Sequence, residues 1–281
     1  MKRNLRRKRI SKATSRKLAY PNLLEKLRKT HPVLSGHLRL AQRNRRKRLT
    51  RLAPGVRLKG FEEFADHLKK MTAVYRRNRK LRPVAFLIER ASADFTTALE
   101  ATLSGFEAVC IDAMRDVMEI EFLLRDFFFQ PDNISKWLNA DEKERNRQFR
   151  PAVLRQRYAA QIGEAPQDVS EAADYKAHSM SLHVSPAETG LVYRGISQID
   201  DYVRNDAPFW EIFEHARRLL FAIHRLRRKL ARHLKSPLGP ERGLKHFWVA
   251  WGRTQEWSHF YFAILDAASD RQKTDAIEAR A

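Results

Sequence analysis

The sequence is poor in cysteine, glycine and proline, with one, ten and eleven of them in 281 residues. A single thiol, Cys110, excludes an intrachain disulfide and a zinc site built from cysteines, and it agrees with a reducing compartment. The scarcity of glycine and proline disfavours an all-β fold, which needs many turns. Neither a glycine-rich phosphate loop nor a G-x-S-x-G elbow occurs, so the sequence gives no sign of those chemistries.

Acidic residues are almost missing from the first 82 positions. This segment contains 28 Lys or Arg and 4 Asp or Glu, a net charge of +24, whereas residues 83–281 contain 27 and 29, a net charge of −2. The chain therefore consists of a basic arm (residues 1–82) and a nearly neutral body (83–269), followed by a polar tail (270–281). We place the boundary between arm and body at Pro83.

Long uninterrupted apolar runs are also missing. The apolar segments around 105–129 and 244–265 contain charged residues such as Asp112, Glu119 and Arg253, which are costly at the centre of a bilayer. We therefore predict no transmembrane helix. The sequence opens with charges and no apolar run of signal-peptide length follows them, so we predict no signal peptide. An organellar transit peptide is an alternative, but the basic character continues far beyond a usual presequence, so a cytoplasmic location is expected.

The body shows helical periodicity throughout. Apolar residues including Phe86, Leu87 and Phe95 predict a helix that closes near Ser104-Gly105. Further helices are predicted over 106–129 and, as a short turn, 133–138. Local signals predict the later boundaries: Asp141 with Glu144 forms a capping box, Pro151 opens a helix that stops at Gly163, and Pro208 opens the longest periodic run. No stretch alternates with a period of two, so the predicted fold is an all-α helical bundle preceded by a partly helical basic arm.

Polar residues at helical spacing mark a candidate site in the body. The helix over 106–129 is apolar on nearly every side, yet it carries Arg115 and Glu119 one turn apart. In the stretch DYKAHSMSLHVSP, Tyr175, Ser179 and His183 form a stripe down one helix face and can hydrogen-bond to that pair. His183 is the natural general acid or base of the set. Two interpretations stay open: a structural network that joins helices, or a polar pocket.

The same stretch offers a weak metal motif. Asp174, His178 and His183 are spaced by four and five residues. The first spacing fits one helix face, but the second turns His183 away from it. We therefore predict no metal and no cofactor.

Three segments, RDVMEIEFLLRDF, LRQRYA and YKAHSMSLHVSP, carry a resemblance. They look like a group of poorly characterised bacterial helical proteins with an R-x-x-x-E helix followed by a Y-x-x-x-S-x-x-x-H helix. These in turn resemble the HEPN superfamily, whose members include many ribonucleases of toxin and phage-defence systems. The resemblance covers roughly residues 85–265. It implies a HEPN-like bundle, a role in bacterial defence or stress, and a possible homodimer.

The HEPN ribonuclease signature is an Arg followed, after four to six residues, by a His. Matching pairs in this sequence are Arg228 with His233, Arg218 with His224, and Arg253 with His259. The Asn, Asp or His that often follows the Arg is missing from these pairs; Lys229 follows Arg228 and Thr254 follows Arg253. Arg228 and His233 are therefore a weaker alternative to the Arg115/Glu119/His183 set, and they can equally lie on the solvated face of a helix.

The basic arm predicts a polyanionic partner, because Lys and Arg arrays bind phosphate backbones by releasing counterions. Few aromatic residues occur in the arm, so stacking on single-stranded bases is not predicted there. We expect sequence-tolerant binding of RNA or DNA; an anionic membrane surface and a solubilising role are the alternatives. A ribonuclease with an Arg/His or Glu/His site in the bundle is the alternative function. The predicted phosphate contacts are Lys2, Arg3, Arg6, Arg7, Lys8, Arg9, Arg43, Arg45, Arg46, Lys47, Arg48, Arg76, Arg77 and Arg79.

Overall fold

The structure of the protein is a computed structural model that describes residues 20–165, 175, 206–231, 243–256 and 259. Every regular element within these ranges is helical, and none is a strand. The predicted all-α helical bundle is therefore confirmed. The chain divides into two compact units, one ending at Arg43 and the other beginning at Asn44.

Between residues 20 and 162 the helices follow one another with short connections. In chain order they are α1 (Tyr20–Thr30), α2 (Pro32–Leu52), α3 (Val56–Arg76), a 3₁₀ turn (Arg79–Leu81), α4 (Arg82–Ser104), α5 (Glu107–Phe129), α6 (Asn133–Asn139), α7 (Glu142–Gln148), α8 (Pro151–Ile162), α9 (Ala207–Lys229) and α10 (residues 245–256). In these described ranges, no helix is both long and apolar enough to cross a membrane, as predicted.

The helix boundaries in the body lie where local sequence signals predicted them. Gly105 ends α4 with φ +86° and Gly163 ends α8 with φ +77°, a left-handed conformation that side chains disfavour and glycine adopts readily. The Asp141 side chain accepts a hydrogen bond from the backbone N–H of Glu144 at 2.7 Å. Pro151 lies in the first turn of α8.

Helix α5 is central to the larger unit, as its apolar surface predicted. It packs against α4, α8 and α9. The side chains of Cys110, Met114, Val117 and Leu124 are fully buried. Burial raises the pKa of the Cys110 thiol to about 12, so this cysteine is protonated and unreactive at neutral pH.

Helix α3 contributes a large part of the same core. Phe64 contacts Phe95 of α4 at a ring-centroid distance of 4.7 Å and Phe247 of α10 at 5.6 Å. The buried Tyr75 hydroxyl donates a hydrogen bond to the Ile223 carbonyl of α9 at 3.0 Å. Residues 44–82 thus fold with the larger unit, although their charge led us to group them with the arm ending at residue 82.

Helices α3 and α10 approach closely at Gly60. A Cβ atom added there would lie 2.9 Å from the Ala250 Cβ and 2.9 Å from the His246 carbonyl oxygen. One turn further along, the Glu63 carboxylate accepts hydrogen bonds from the backbone N–H groups of His246 at 2.7 Å and Phe247 at 3.1 Å. Glu63 therefore caps the N-terminal end of α10, where unsatisfied N–H groups and the helix dipole favour an anion.

A buried carboxylate joins α9 to α10. Glu214 accepts hydrogen bonds from Arg217 Nε, Arg218 Nε and Trp251 Nε1, each at 3.0 Å. Burial by itself would raise the pKa of Glu214, but the hydrogen bonds from Arg217 and Trp251 and the two arginine charges lower it to about 2. This carboxylate is therefore ionised and paired at neutral pH.

In the smaller unit, two arginines hold one acidic residue. Glu25 pairs with Arg28 at 2.8 Å and with Arg39 at 2.9 Å. All three side chains are about half exposed, so the pairs contribute little to stability. Leu24 and Ser35 are the buried residues of this unit within the described range.

Candidate functional site

The structure places three of the five predicted network residues in contact. The Tyr175 hydroxyl donates a hydrogen bond to Glu119 Oε1 at 3.0 Å and accepts from Arg115 Nη2 at 3.3 Å. Arg115 Nε and Glu119 Oε1 are 3.9 Å apart, one turn of α5 from each other. Ser179 and His183, the other two members of the predicted set, lie outside the described residues.

Two guanidinium groups flank the Tyr175 ring. The Arg155 Cζ lies 4.4 Å from the ring centroid, and the Arg115 Cζ lies 5.5 Å from it. Burial raises the pKa of the Tyr175 hydroxyl and lowers the pKa of Arg155. Tyr175 is therefore a hydrogen-bond donor at neutral pH and not a base. Arg155 belongs to the quoted segment LRQRYA, but nothing in its spacing indicated that it would meet Tyr175.

This network is partly exposed to solvent. The side chains of Arg115 and Glu119 are 34% and 38% exposed. Within the described residues it offers two cations, a hydroxyl and a carboxylate, a set that suits binding of a polar or anionic group. In the predicted site, His183 would be the residue that donates or accepts a proton.

The alternative Arg/His pairs have varied surroundings. Arg228 is exposed near the end of α9, and His233 lies outside the described residues. Arg218 is paired with Glu214. His224 Nε2 lies 3.0 Å from His67 Nε2, and burial lowers the pKa of His224 to about 4. Arg218 and His224 therefore contact other partners inside the bundle.

Some of the predicted phosphate contacts have a structural role. The guanidinium of Arg48 donates to the Thr102 carbonyl at the C-terminal end of α4 and to Glu107 Oε1 at 2.8 Å. Its side chain is only 12% exposed. Arg45 pairs with Glu100 at 2.9 Å.

Arg76 likewise pairs with a carboxylate, that of Glu89.

Positive charges near a helix C-terminus are favourable, so Arg45 and Arg48 stabilise the end of α4. The sequence showed only a cluster of cations at this position.

Other predicted contacts remain available to a ligand. In the larger unit, Arg46, Lys47, Arg77 and Arg79 are exposed and form no ion pair with a described carboxylate. In the smaller unit, Arg43 is exposed in the same way. The contacts predicted between Lys2 and Arg9 lie outside the described residues.

Arg79 also lines a groove that the sequence did not reveal. This α4–α6 groove has a volume of about 440 Å³. Three arginines surround an apolar floor in it; its main lining residues are Arg79, Arg82, Arg145, Phe86, Trp137 and Leu138. Phe86, one of the apolar residues that predicted α4, is 57% exposed, whereas the neighbouring Leu87 and Ile88 are buried.

No protein-family model matches the chain, and no curated protein and no solved structure matches it. Within the ranges that the structure describes, no group of three or more His, Cys, Asp or Glu side chains is placed to bind a metal. The functional proposal rests on the charge distribution of the sequence and on the geometry described above.

Proposed function

We propose that this protein binds nucleic acid through the phosphate backbone, with the basic residues of its first 82 positions supplying the contacts. The observation that carries this proposal is the net charge of +24 in that segment. The charge is shared almost equally between its two parts. Residues 1–43 contain 14 Lys or Arg and one acidic residue, and residues 44–82 contain 14 Lys or Arg and three acidic residues.

Exposure of the cations supports the proposal. Arg46, Lys47 and Arg77 are exposed and form no ion pair with a carboxylate of the described residues, so their charges can interact with phosphates. Each phosphate contact releases condensed counterions, and this release drives binding without sequence readout. We therefore expect RNA and DNA to bind alike, with an affinity that falls steeply as salt increases.

The test is fluorescence anisotropy with a labelled RNA and a labelled DNA, titrated from about 50 to 200 mM salt. The informative variant replaces six basic residues of the first cluster by Gln: Lys2, Arg3, Arg6, Arg7, Lys8 and Arg9. If all six contact phosphates, the slope of log K against log salt on duplex DNA becomes shallower by about 5.

The matched control replaces six exposed basic residues of the nearly neutral body by Gln: Lys136, Lys143, Arg150, Lys229, Lys245 and Arg253. It changes net charge by the same amount outside the arm, so we expect its slope to stay within about 1 of the wild-type slope. Equal effects of the two variants, or no binding by the wild type at 50 mM salt, would contradict the proposal.

A ribonuclease is the second candidate, and the Tyr175 hydroxyl that bridges Arg115 and Glu119 favours it. This arrangement supplies cations and a hydrogen-bond donor on a partly open surface. The proposal needs His183 as the general acid or base. The test is cleavage of labelled total RNA by the wild type and by His183→Ala, Glu119→Gln and His233→Ala.

Cleavage that His183→Ala and Glu119→Gln lose, with an unchanged circular dichroism spectrum, is the expected result for this site. If only His233→Ala loses cleavage, the Arg228/His233 pair is the site. Absence of cleavage by the wild type would remove the ribonuclease proposal and leave the binding proposal intact.

The proposal also includes a cytoplasmic location, a homodimer and a role in bacterial defence or stress. The single cysteine supports the location, and the resemblance to HEPN proteins supports the other two. Analytical ultracentrifugation of the full chain tests the dimer: a single species at the monomer mass of 32.9 kDa would contradict it.

A further inference from the structure

The α4–α6 groove combines an accessible aromatic floor with a fixed geometry. Phe86 and Leu138 are each 57% exposed, an unusual position for neighbouring large apolar side chains. Trp137, which lines the same groove, is partly buried against the core, and its ring contacts the buried Phe127 edge-on at a centroid distance of 6.1 Å. The floor is therefore held in place by the bundle and does not need a ligand to form.

The three arginines that line this groove have no ionic partner among the described residues. Among the described residues, no carboxylate pairs with Arg79, Arg82 or Arg145; Arg145 Nε only donates to the Asp141 carbonyl at 3.4 Å. The first turn of α4 contains no acidic residue, and no side chain caps its N-terminal end. Arg79, Arg82 and Arg145 therefore line a mostly apolar groove without an ionic partner among the described residues, near the positive end of the α4 dipole.

We infer that the α4–α6 groove binds a nucleotide of a single-stranded nucleic acid, with the base stacked on Phe86 and Trp137 and its phosphates held by the three arginines. The inference rests on the proposed nucleic-acid binding and names the form of nucleic acid that this groove selects. A duplex keeps its bases stacked inside, so only a single strand can offer both a flat base and a phosphate to the same groove.

Size and position agree with this occupant. A volume of about 440 Å³ lies in the range of small-ligand pockets and suits one base with its sugar and phosphate. The basic run of residues 75–82 ends at the groove, so a strand that follows those cations is led to the aromatic floor. The arm contains few aromatic residues, so stacking was not predicted there. The aromatic residues of this floor, Phe86 and Trp137, lie outside the arm.

The test compares a labelled dodecamer of deoxyuridine with a labelled 20-base-pair duplex, each bound to the full-length protein at fixed salt. Phe86→Ala removes an exposed ring. It should weaken binding of the single strand about tenfold, the loss expected for one stacked base, and change duplex binding less than about twofold. Phe106→Ala is the matched control, because that ring is also exposed, 54%, and lies outside the groove.

Two further measurements separate stacking from charge. Binding of the dodecamer should quench tryptophan fluorescence, and Trp137→Phe, which keeps an apolar ring, should remove most of the quenching. Arg79→Gln combined with Arg145→Gln should make the salt slope for the single strand shallower by about 1.4, because each lost contact accounts for about 0.7.

The outcomes distinguish this inference from the proposed function. If wild type and Phe86→Ala bind the dodecamer equally, the groove is not a nucleotide site, while nucleic-acid binding by the arm still stands. If the wild type binds neither probe, both fail. If a polyglutamate dodecamer binds with dependence on Phe86 while deoxyuridine binding lacks it, the occupant is an acidic peptide and the inference is wrong.

Discussion

Replacing the buried carboxylate of Glu214 by an amide tests how much its ion pairs with Arg217 and Arg218, all within α9, contribute to the stability of the bundle. In Glu214→Gln the side chain keeps its size and can still accept a hydrogen bond from Trp251. It loses the negative charge that Arg217 and Arg218 share. Those two guanidinium groups are 29% and 13% exposed, so the charge left behind is poorly solvated.

The magnitude follows from the pKa of the carboxyl group. A decrease from 4.5 to about 2 corresponds to about 3 kcal/mol of stabilisation of the charged form. The partial exposure of Arg217 allows solvent to screen the pair, so we expect the variant to lose about 2 kcal/mol of unfolding free energy at pH 7. Because the pKa is lower in the folded chain, this contribution is fully present above about pH 4.5 and is lost as the pH falls towards 2.

The assay is urea unfolding, followed by circular dichroism and tryptophan fluorescence, at pH 7 and pH 3. Glu100→Gln is the control, since Glu100 forms an exposed ion pair that should contribute less than about 0.5 kcal/mol. We expect Glu214→Gln to be clearly less stable than the control at pH 7 and the difference to shrink at pH 3. Equal stabilities of the two variants at pH 7, or a difference that does not change with pH, would refute the reasoning.

Three further predictions concern stability in the larger unit. Gly60→Ala should cost about 1–3 kcal/mol of unfolding free energy because the added methyl meets backbone atoms. Gly252→Ala is the control: there is open space around Gly252, so this variant should be neutral or stabilising. Thermal unfolding of both variants checks this. Glu63→Ala should cost about 1 kcal/mol through loss of the α10 cap, and an unchanged urea midpoint would contradict that role. Arg48→Gln should lower the melting temperature, because Arg48 has a structural role. Lys47→Gln should leave the melting temperature unchanged and reduce only the salt dependence of nucleic-acid binding. The reverse pattern would show that the structural role of Arg48 and the binding role of Lys47 are wrongly assigned.

The helix boundaries could be predicted because their causes are local. Gly105 and Gly163 end helices by adopting a left-handed backbone, and Asp141 starts one with its own side chain. Each of these effects depends on a few neighbouring residues, so the sequence contains it in full. Helix α3 was harder to place. Phe64, Leu68, Met71 and Tyr75 follow a helical repeat, but they occur among so many Lys and Arg residues that net charge dominated the interpretation.

The candidate sites depend on contacts between distant segments. The Arg115–Glu119 pair follows from spacing along one helix, and the structure adds Tyr175 to it as predicted. Arg155 joins this network from another helix, 40 positions further along the chain, and no local pattern indicates that. Phe86 and Trp137 likewise line one groove only because α6 packs on α4, so the groove could not have been derived from periodicity.

If the arm binds nucleic acid as proposed, a count of its positive charges overstates the number of phosphate contacts that it can make. Of the eight predicted contact residues within the described ranges, Arg45, Arg48 and Arg76 already pair with carboxylates of the same chain. A phosphate that recruits one of these arginines must break an existing pair, which offsets part of the gain from counterion release. The salt slope measured for the wild type should consequently be smaller than the number of Lys and Arg residues implies, and the remaining exposed cations should account for most of it.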